Sequence, residues 1–286
     1  NYPTGTYMDE TNELLAAVLV QTKNYERAYK IMEGLKTESA LIKEAYQKVT
    51  YFRAIELFND NKTDEALTLC NKSLNRVVNI ELQALALYLK AEILYSKENY
   101  DEAVQNYSRF IQYTSPALDK KGEGSKFRAT YNIGYCSFKR KNYDDAALYF
   151  GSAIDESKTT TDVKGKTSLL PDLYLRFADC AFVTKNYDKA VDAYGKIVEM
   201  KWSSAEYAQY QKGIILGLQG KDEEKIVAMN YLATKFPGSN YADQANFETG
   251  ETYLQMGNWD GARAAYKNII TKSGFAIFGQ HSSIVQ

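Results

Sequence analysis

Proline is scarce in this chain, at four residues in 286, and glycine numbers only 17. Such a composition excludes a collagen-like or Pro/Gly-rich disordered chain and argues against an all-β one. Histidine occurs once, as His281 in the C-terminal tail. That leaves Ser–His–Asp or Cys–His chemistry without a base unless a partner brings one, and it excludes a multi-histidine metal site. The three cysteines, Cys70, Cys136 and Cys180, are odd in number and show no CxxC spacing. No disulfide framework follows, and the compartment is not set by cysteine. All three fall in helical patterns and read as small buried apolar residues. No run of about 18 apolar residues exists, so no transmembrane helix is expected. Lys plus Arg is 35 and Asp plus Glu is 36, for a net charge of −1. Without a basic excess, nucleic acid is not expected as a partner. No signal peptide is visible and the first residue is Asn1, which reads as a processed or excised piece.

Two apparent nucleotide motifs fail. "GKT" at 165–167 has Thr160 where a phosphate loop needs its first glycine, and "GEG" at 122–124 has Phe127 where a dinucleotide fingerprint needs its third. Sequons at Asn61, Asn71 and Asn106 read as chance, two of them falling within helical patterns. Carboxylate pairs such as Asp144–Asp145 and Glu223–Glu224 sit in turns or on helix faces as solvated or capping charge. No group of residues assembles the roles of a catalytic site. The chain is read as non-enzymatic, with no metal and no cofactor.

What is abundant is tyrosine, at 24 residues, and repetition. "KNYERA" at 23–28 returns as "NKTDEA" at 61, "ENYDEA" at 98, "KNYDDA" at 141, "KNYDKA" at 185, a weak "GKDEEK" at 220 and "GNWDGA" at 257. The closing residues, Ala28, Ala66, Ala103, Ala146, Ala190, Lys225 and Ala262, are spaced by 38, 37, 43, 44, 35 and 37. Twelve residues before each stands a small residue: Ala16, Ala54, Ala91, Gly134, Ala178, Gly213 and Gly250. Four residues after stands Met32, Cys70, Tyr107, Phe150, Tyr194, Met229 or Tyr266, all large except Cys70. With apolar residues at i, i+3, i+4 and i+7 on either side, each unit is two amphipathic helices joined by a polar turn. The small residues let the helices approach, and the large one is expected to fill space between neighbouring units. Within the hexapeptide, Asn caps or turns the chain, the acid suits the positive end of the second helix, and the aromatic packs across the turn. A lysine in place of alanine at Lys225 is expected to loosen the sixth unit.

These columns resemble the tetratricopeptide repeat, with its small residue at position 8, Ala at 20 and aromatic at 24. The match is closest over "NYADQANFETGETYLQMGNWDGARAAYKNII", 240–270, with the repeat's late proline as Pro237 of the unit before; the Trp at position 4 is missing throughout. The resemblance implies an all-α, right-handed superhelical solenoid of about seven hairpins. Taken as one array over 1–286, its units run 9–42, 47–80, 84–117, 127–160, 171–204, 206–239 and 243–276. The two long steps place exposed loops near 115–126 and 155–171. Residues 275–286 read as the start of an eighth first helix.

In that family the first helix of each hairpin lines a concave face. Carried over at positions 5, 9 and 12, the candidate protein-binding residues are Tyr51, Phe58, Tyr88, Tyr95, Tyr131, Tyr135, Phe138, Phe182, Tyr210 and Phe247. The same rings also suit packing between helices, and both readings stand. Lys48, Arg128 and Lys139 are too scattered to form the carboxylate clamp of some members, so a chaperone C-terminus is not the expected ligand. The resemblance implies a scaffold or adaptor for peptide or protein segments. The wording of 240–270 is similar to bacterial, Bacteroides-type cell-envelope members, which implies a periplasmic or outer-membrane-associated place and a role in envelope assembly, with a lipid anchor upstream as one arrangement. A cytoplasmic adaptor, or the regulatory or sensor region of a larger enzyme, is the alternative. Partner identity and oligomeric state are not encoded legibly.

Overall fold

The computed structural model describes residues 8–35, 39–113, 125–159 and 166–281, with side chains described for 11, 12 and 14–270 within them. It holds fourteen helices and, among the described residues, no strand. They are α1 (Met8–Gln21), α2 (Tyr25–Glu33), α3 (Ala40–Asn59), α4 (Thr63–Asn75), α5 (Ile80–Ser96), α6 (Tyr100–Gln112), α7 (Lys126–Lys139), α8 (Tyr143–Thr159), α9 (Lys166–Val183), α10 (Tyr187–Glu199), α11 (Ala205–Leu218), α12 (Asp222–Lys235), α13 (Ala242–Gln255) and α14 (Trp259–His281). Odd-numbered helices are the first (A) and even-numbered the second (B) of seven hairpins. The chain is an all-α helical-repeat solenoid. It divides into two compact bodies, Asn1–Lys166 and Thr167–Gln286. The first contains hairpins one to four and the second hairpins five to seven.

The hexapeptide is the junction of each hairpin, and its backbone is uniform. Its first residue adopts left-handed φ in all seven copies, from 59° to 61° at Lys23, Asn61, Glu98, Lys141 and Lys185, and 70° and 72° at Gly220 and Gly257. The next N–H then reaches back five residues, as in Asn99 N to Leu94 O at 2.9 Å and Asn258 N to Tyr253 O at 2.8 Å. This is the Schellman closure of the A helix. The same residue starts the B helix: Asn24, Asn99, Asn142 and Asn258 each accept the N–H three residues on. The ring that follows packs across the turn onto the residue five before it, with centroids 5.5 Å apart for Tyr95–Tyr100 and 5.7 Å for Phe138–Tyr143. Trp259 departs from this and is exposed.

Between the helices, the position-20 alanines are almost wholly buried, as are the position-8 alanines. The large residue at position 24 does more than the expected filling between units. Besides meeting the next hairpin, as Tyr107 meets Asn132 and Tyr194 meets Tyr207, it lies over the small residue of its own hairpin. A Cβ on Gly134, Gly213 or Gly250 would stand 2.6, 2.6 or 2.5 Å from Phe150, Met229 or Tyr266. The geometry follows from the spacing: sixteen residues separate the two positions, placing them opposite each other across an antiparallel turn.

Three expectations are corrected. The loop expected over 155–171 is helical at both ends, with α8 running to Thr159 and α9 starting at Lys166, Pro171 inside it. Polar composition does not break α8, and the hydroxyls of Ser157 and Thr159 find acceptors in the helix's own carbonyls of Ile154 and Glu156. Residues 160–165, and most of the loop expected at 115–126, lie outside the described residues. The tail expected to begin an eighth hairpin instead continues α14 to His281; no proline after Ala262 forces a break. Finally, the sixth hairpin is not loosened by Lys225. Position 12 of that hairpin is Gly217, and the lysine stem lies in the space a side chain would fill, its Cδ 2.8 Å from the missing Cβ. Its Nζ then meets Glu248 of α13 at 2.7 Å, with both side chains largely buried. Lysine at 20 and glycine at 12 are one substitution in two parts.

Restoring the consensus residue should therefore weaken the protein. Lys225→Ala empties the space beside Gly217 and leaves Glu248 without its cation, which costs about 2 kcal/mol in denaturant unfolding; an unchanged midpoint would contradict the packing described.

Candidate protein-binding surface

Positions 24 and 9 are linked chemically. Where position 24 is tyrosine, position 9 is an acid, and in no other hairpin is it one: Glu92 with Tyr107, Asp179 with Tyr194, Glu251 with Tyr266. Each tyrosine hydroxyl donates to its acid, at 2.5 Å for Tyr107–Glu92 and 2.6 Å for Tyr194–Asp179, with Tyr266–Glu251 paired alike. A phenol buried between two helices needs an acceptor, and the next residue of the A helix supplies it.

In the N-terminal body this pair anchors a polar network on the A-helix face. Asn132 of α7 donates to Glu92 at 2.6 Å and lies 3.1 Å from the Tyr107 hydroxyl and 3.4 Å from that of Tyr88. One amide thus ties the third hairpin to the fourth. Burial first, and the Glu92 charge next, push the Tyr88 and Tyr107 phenols far above their ordinary range, so both stay protonated: Tyr107 donates to Glu92 while both hydroxyl oxygens accept from Asn132. Beside the network opens a cleft of about 190 Å³ lined by Glu92, Tyr95, Tyr107, Tyr131, Asn132 and Tyr135. Tyr131 and Tyr135 meet edge-on at 5.0 Å, and Tyr135 stands edge-on to Phe150 at 5.4 Å. Burial holds the Tyr95 phenol up at about 12. The Cys136 and Cys180 thiols are raised by burial to about the same value. Cys70, also raised to about 12, donates to Ala86 O.

The ten aromatic candidates divide by burial. Tyr51, Tyr88 and Tyr131 lie in the core. Phe58, Tyr95, Tyr135, Phe138, Phe182 and Tyr210 are half-buried, and Phe247 is exposed. The structure brings Tyr95, Tyr131 and Tyr135 into one cleft. Phe182 faces Tyr187 at 6.3 Å, Tyr210 stacks on Tyr241 at 5.2 Å, and Phe247 lies 5.9 Å from Tyr266. Sequence reasoning missed the polar members, Glu92, Asn132 and Asp179. The acid one residue after the small column, present only beside a position-24 tyrosine, was the available signal. Among the described residues no group of three or more His, Cys, Asp or Glu side chains could hold a metal, and no helix is long and apolar enough to cross a membrane.

In the C-terminal body Asp179 accepts from Tyr194 and, at 3.2 Å, from Tyr207 of the next hairpin, with Arg176 Nη1 at 3.8 Å. Burial raises its carboxyl above the ordinary aspartate range, while the two phenols and Arg176 pull it back. A raised folded-state value means the native protein holds the proton more tightly. The stability this gives is present below the unfolded aspartate value and is lost as pH rises through the folded one. Relative to Asp179→Asn, the wild type should lose stability as pH climbs out of the ordinary aspartate range, read by urea unfolding across pH; a difference that is flat, or that rises, would contradict the burial.

Comparison with known proteins gives two family matches, both described as tetratricopeptide repeat, over residues 51–117 and 244–273. No curated protein matches. Among solved structures, the chain is similar to the C-terminal part of a TPR repeat-containing protein from Cytophaga hutchinsonii, at 20% identity and TM-score 0.55, over 91% of this chain and 94% of that one. YrrB, described as a TPR protein with an unusual peptide-binding site, aligns at 18% identity and TM-score 0.48 over 76% and 98%. MamA aligns at 16% identity and TM-score 0.46 over 65% and 96%.

Proposed function

This chain belongs to the tetratricopeptide-repeat family, and we propose that it is a non-enzymatic scaffold that holds protein or peptide segments against its A-helix face. The observation that carries the reading is the cleft between the third and fourth hairpins. Its rings are fixed edge to edge, so they need little further ordering on binding. Glu92 and Asn132 lie among them as the polar groups that orient a peptide, and Tyr95 and Tyr135 keep part of their surface free. Aromatic surface around a few placed polar groups is the composition of an interaction hot spot. The wording of 240–270 supports a bacterial cell-envelope setting, in assembly at the periplasmic or outer-membrane side. No catalytic role enters the proposal.

The test compares wild type with Tyr95→Ala and Tyr135→Ala. Partners captured from the native cell's envelope fraction by wild type should be lost about tenfold or more from both variants, with circular dichroism and melting little changed. Undiminished capture by both would sink the groove. Fractionation of the full-length protein in its own cell addresses the setting separately, and recovery in the cytosol would overturn it.

A further inference from the structure

A second kind of surface is the furrow between consecutive B helices, and two such furrows can be compared residue by residue. In the first, between α2 and α4, position 25 of one hairpin is Glu33 and position 26 of the next is Lys72. They pair at 2.8 Å, and Lys72 also donates to Tyr29 at 2.7 Å. Position 7 is Arg53, which reaches back to Glu26 at 3.2 Å. That furrow is bridged by its own charges.

Between α10 and α12 the same register positions read differently. Position 25 is Gly195 and position 26 is Tyr231, so the ion pair is replaced by an absent side chain and a ring. Position 22, Thr68 in the first furrow, is Val227, which is 69% exposed. Position 7 is Lys212, which makes no ion pair here among the described residues, its Nζ 3.9 Å from where a Cβ of Gly195 would sit. What remains is a furrow of about 560 Å³ with Val198, Val227 and Tyr231 on its walls. Its floor is fixed by the buried Gln209, whose Nε2 donates to Ala228 O at 2.8 Å. Glu223 and Glu224 stand at its rim without ion-pair partners among the described residues, and Glu199 stands opposite, paired to Lys196 at 3.1 Å.

We infer that this furrow is a second protein-docking site, which takes an amphipathic helix with large apolar residues on one side and lysine or arginine beside them. The apolar side chain enters over Gly195, between Val198 and Tyr231, as in helix-in-groove recognition. The basic side chains meet Glu223 and Glu224, whose acidity at the rim fixes the sign of the partner. This site is independent of the A-helix cleft and stands or falls without it.

The probe is a synthetic amphipathic helix of leucine and lysine, set against the same pattern with glutamate for lysine, with binding followed by fluorescence anisotropy. The leucine–lysine helix should bind wild type at least about tenfold more tightly than its glutamate counterpart. Gly195→Leu should weaken it about tenfold or more by filling the furrow, and it meets only the flexible Lys212 tip in doing so. Val227→Lys, at an exposed site, and the pair Glu223→Lys with Glu224→Lys should do the same, all with helical circular dichroism retained; the first-turn pair alone should lower the melting temperature slightly. Tyr135→Ala should leave this affinity as it was. Equal binding of the two helices, no binding to wild type, or binding indifferent to Gly195→Leu and Val227→Lys would each overturn the site.

Discussion

The close approach of two helices within each hairpin is the contact on which the rest depends. It needs a small residue at position 8, a large one at position 24 opposite it, and a turn that returns the chain in register. The left-handed residue at the head of each hexapeptide sets that return. Alanine or glycine at position 8 then receives the side chain at position 24, and the position-20 residue closes the gap on the other side. Burial of this kind gives a helical array most of its stability, because each hairpin touches only its neighbours.

Once that contact is fixed, departures from consensus come in pairs. Tyrosine at position 24 brings a hydroxyl into the interface and an acid at position 9 to receive it. Lysine at position 20 brings glycine at position 12 and an acid on the next A helix. Glycine and tyrosine across the α10–α12 furrow, by contrast, replace a bridged ion pair with nothing among the described residues to complete them. The first two pairs are closed within the described structure. The third leaves apolar surface and acidic charge facing outward. The N-terminal body thus carries a tyrosine–acid network beside half-exposed rings, and the C-terminal body an unbridged furrow.

Much of the fold was legible because its causes recur. The hexapeptide repeats since the same backbone turn repeats, and the alanine columns follow since the same approach repeats. What was harder to read depended on partners rather than columns. Lys225 taken alone predicts disruption; only with Gly217, eight residues earlier, does it become a filler. Asp179 and Glu92 look like ordinary helix-face acids until the tyrosines fifteen residues on are counted with them. Which aromatics keep free surface depends on how closely adjacent helices cover them: Tyr51 and Phe247 share one repeat position, yet one is 3% and the other 49% exposed. The polar end of α8 reads as loop because composition does not reveal that the Ser157 and Thr159 hydroxyls find acceptors on their own helix.

The central claim, that positions 8 and 24 of one hairpin form a single contact, is tested most directly by a double-mutant cycle at Gly134 and Phe150. Gly134→Ala crowds the ring, and Phe150→Leu shrinks it; each alone should lower unfolding free energy by about 1–3 kcal/mol. Together they should recover a coupling of about 1 kcal/mol or more, because the new methyl occupies space the ring has vacated. Strict additivity of the two losses would contradict the contact.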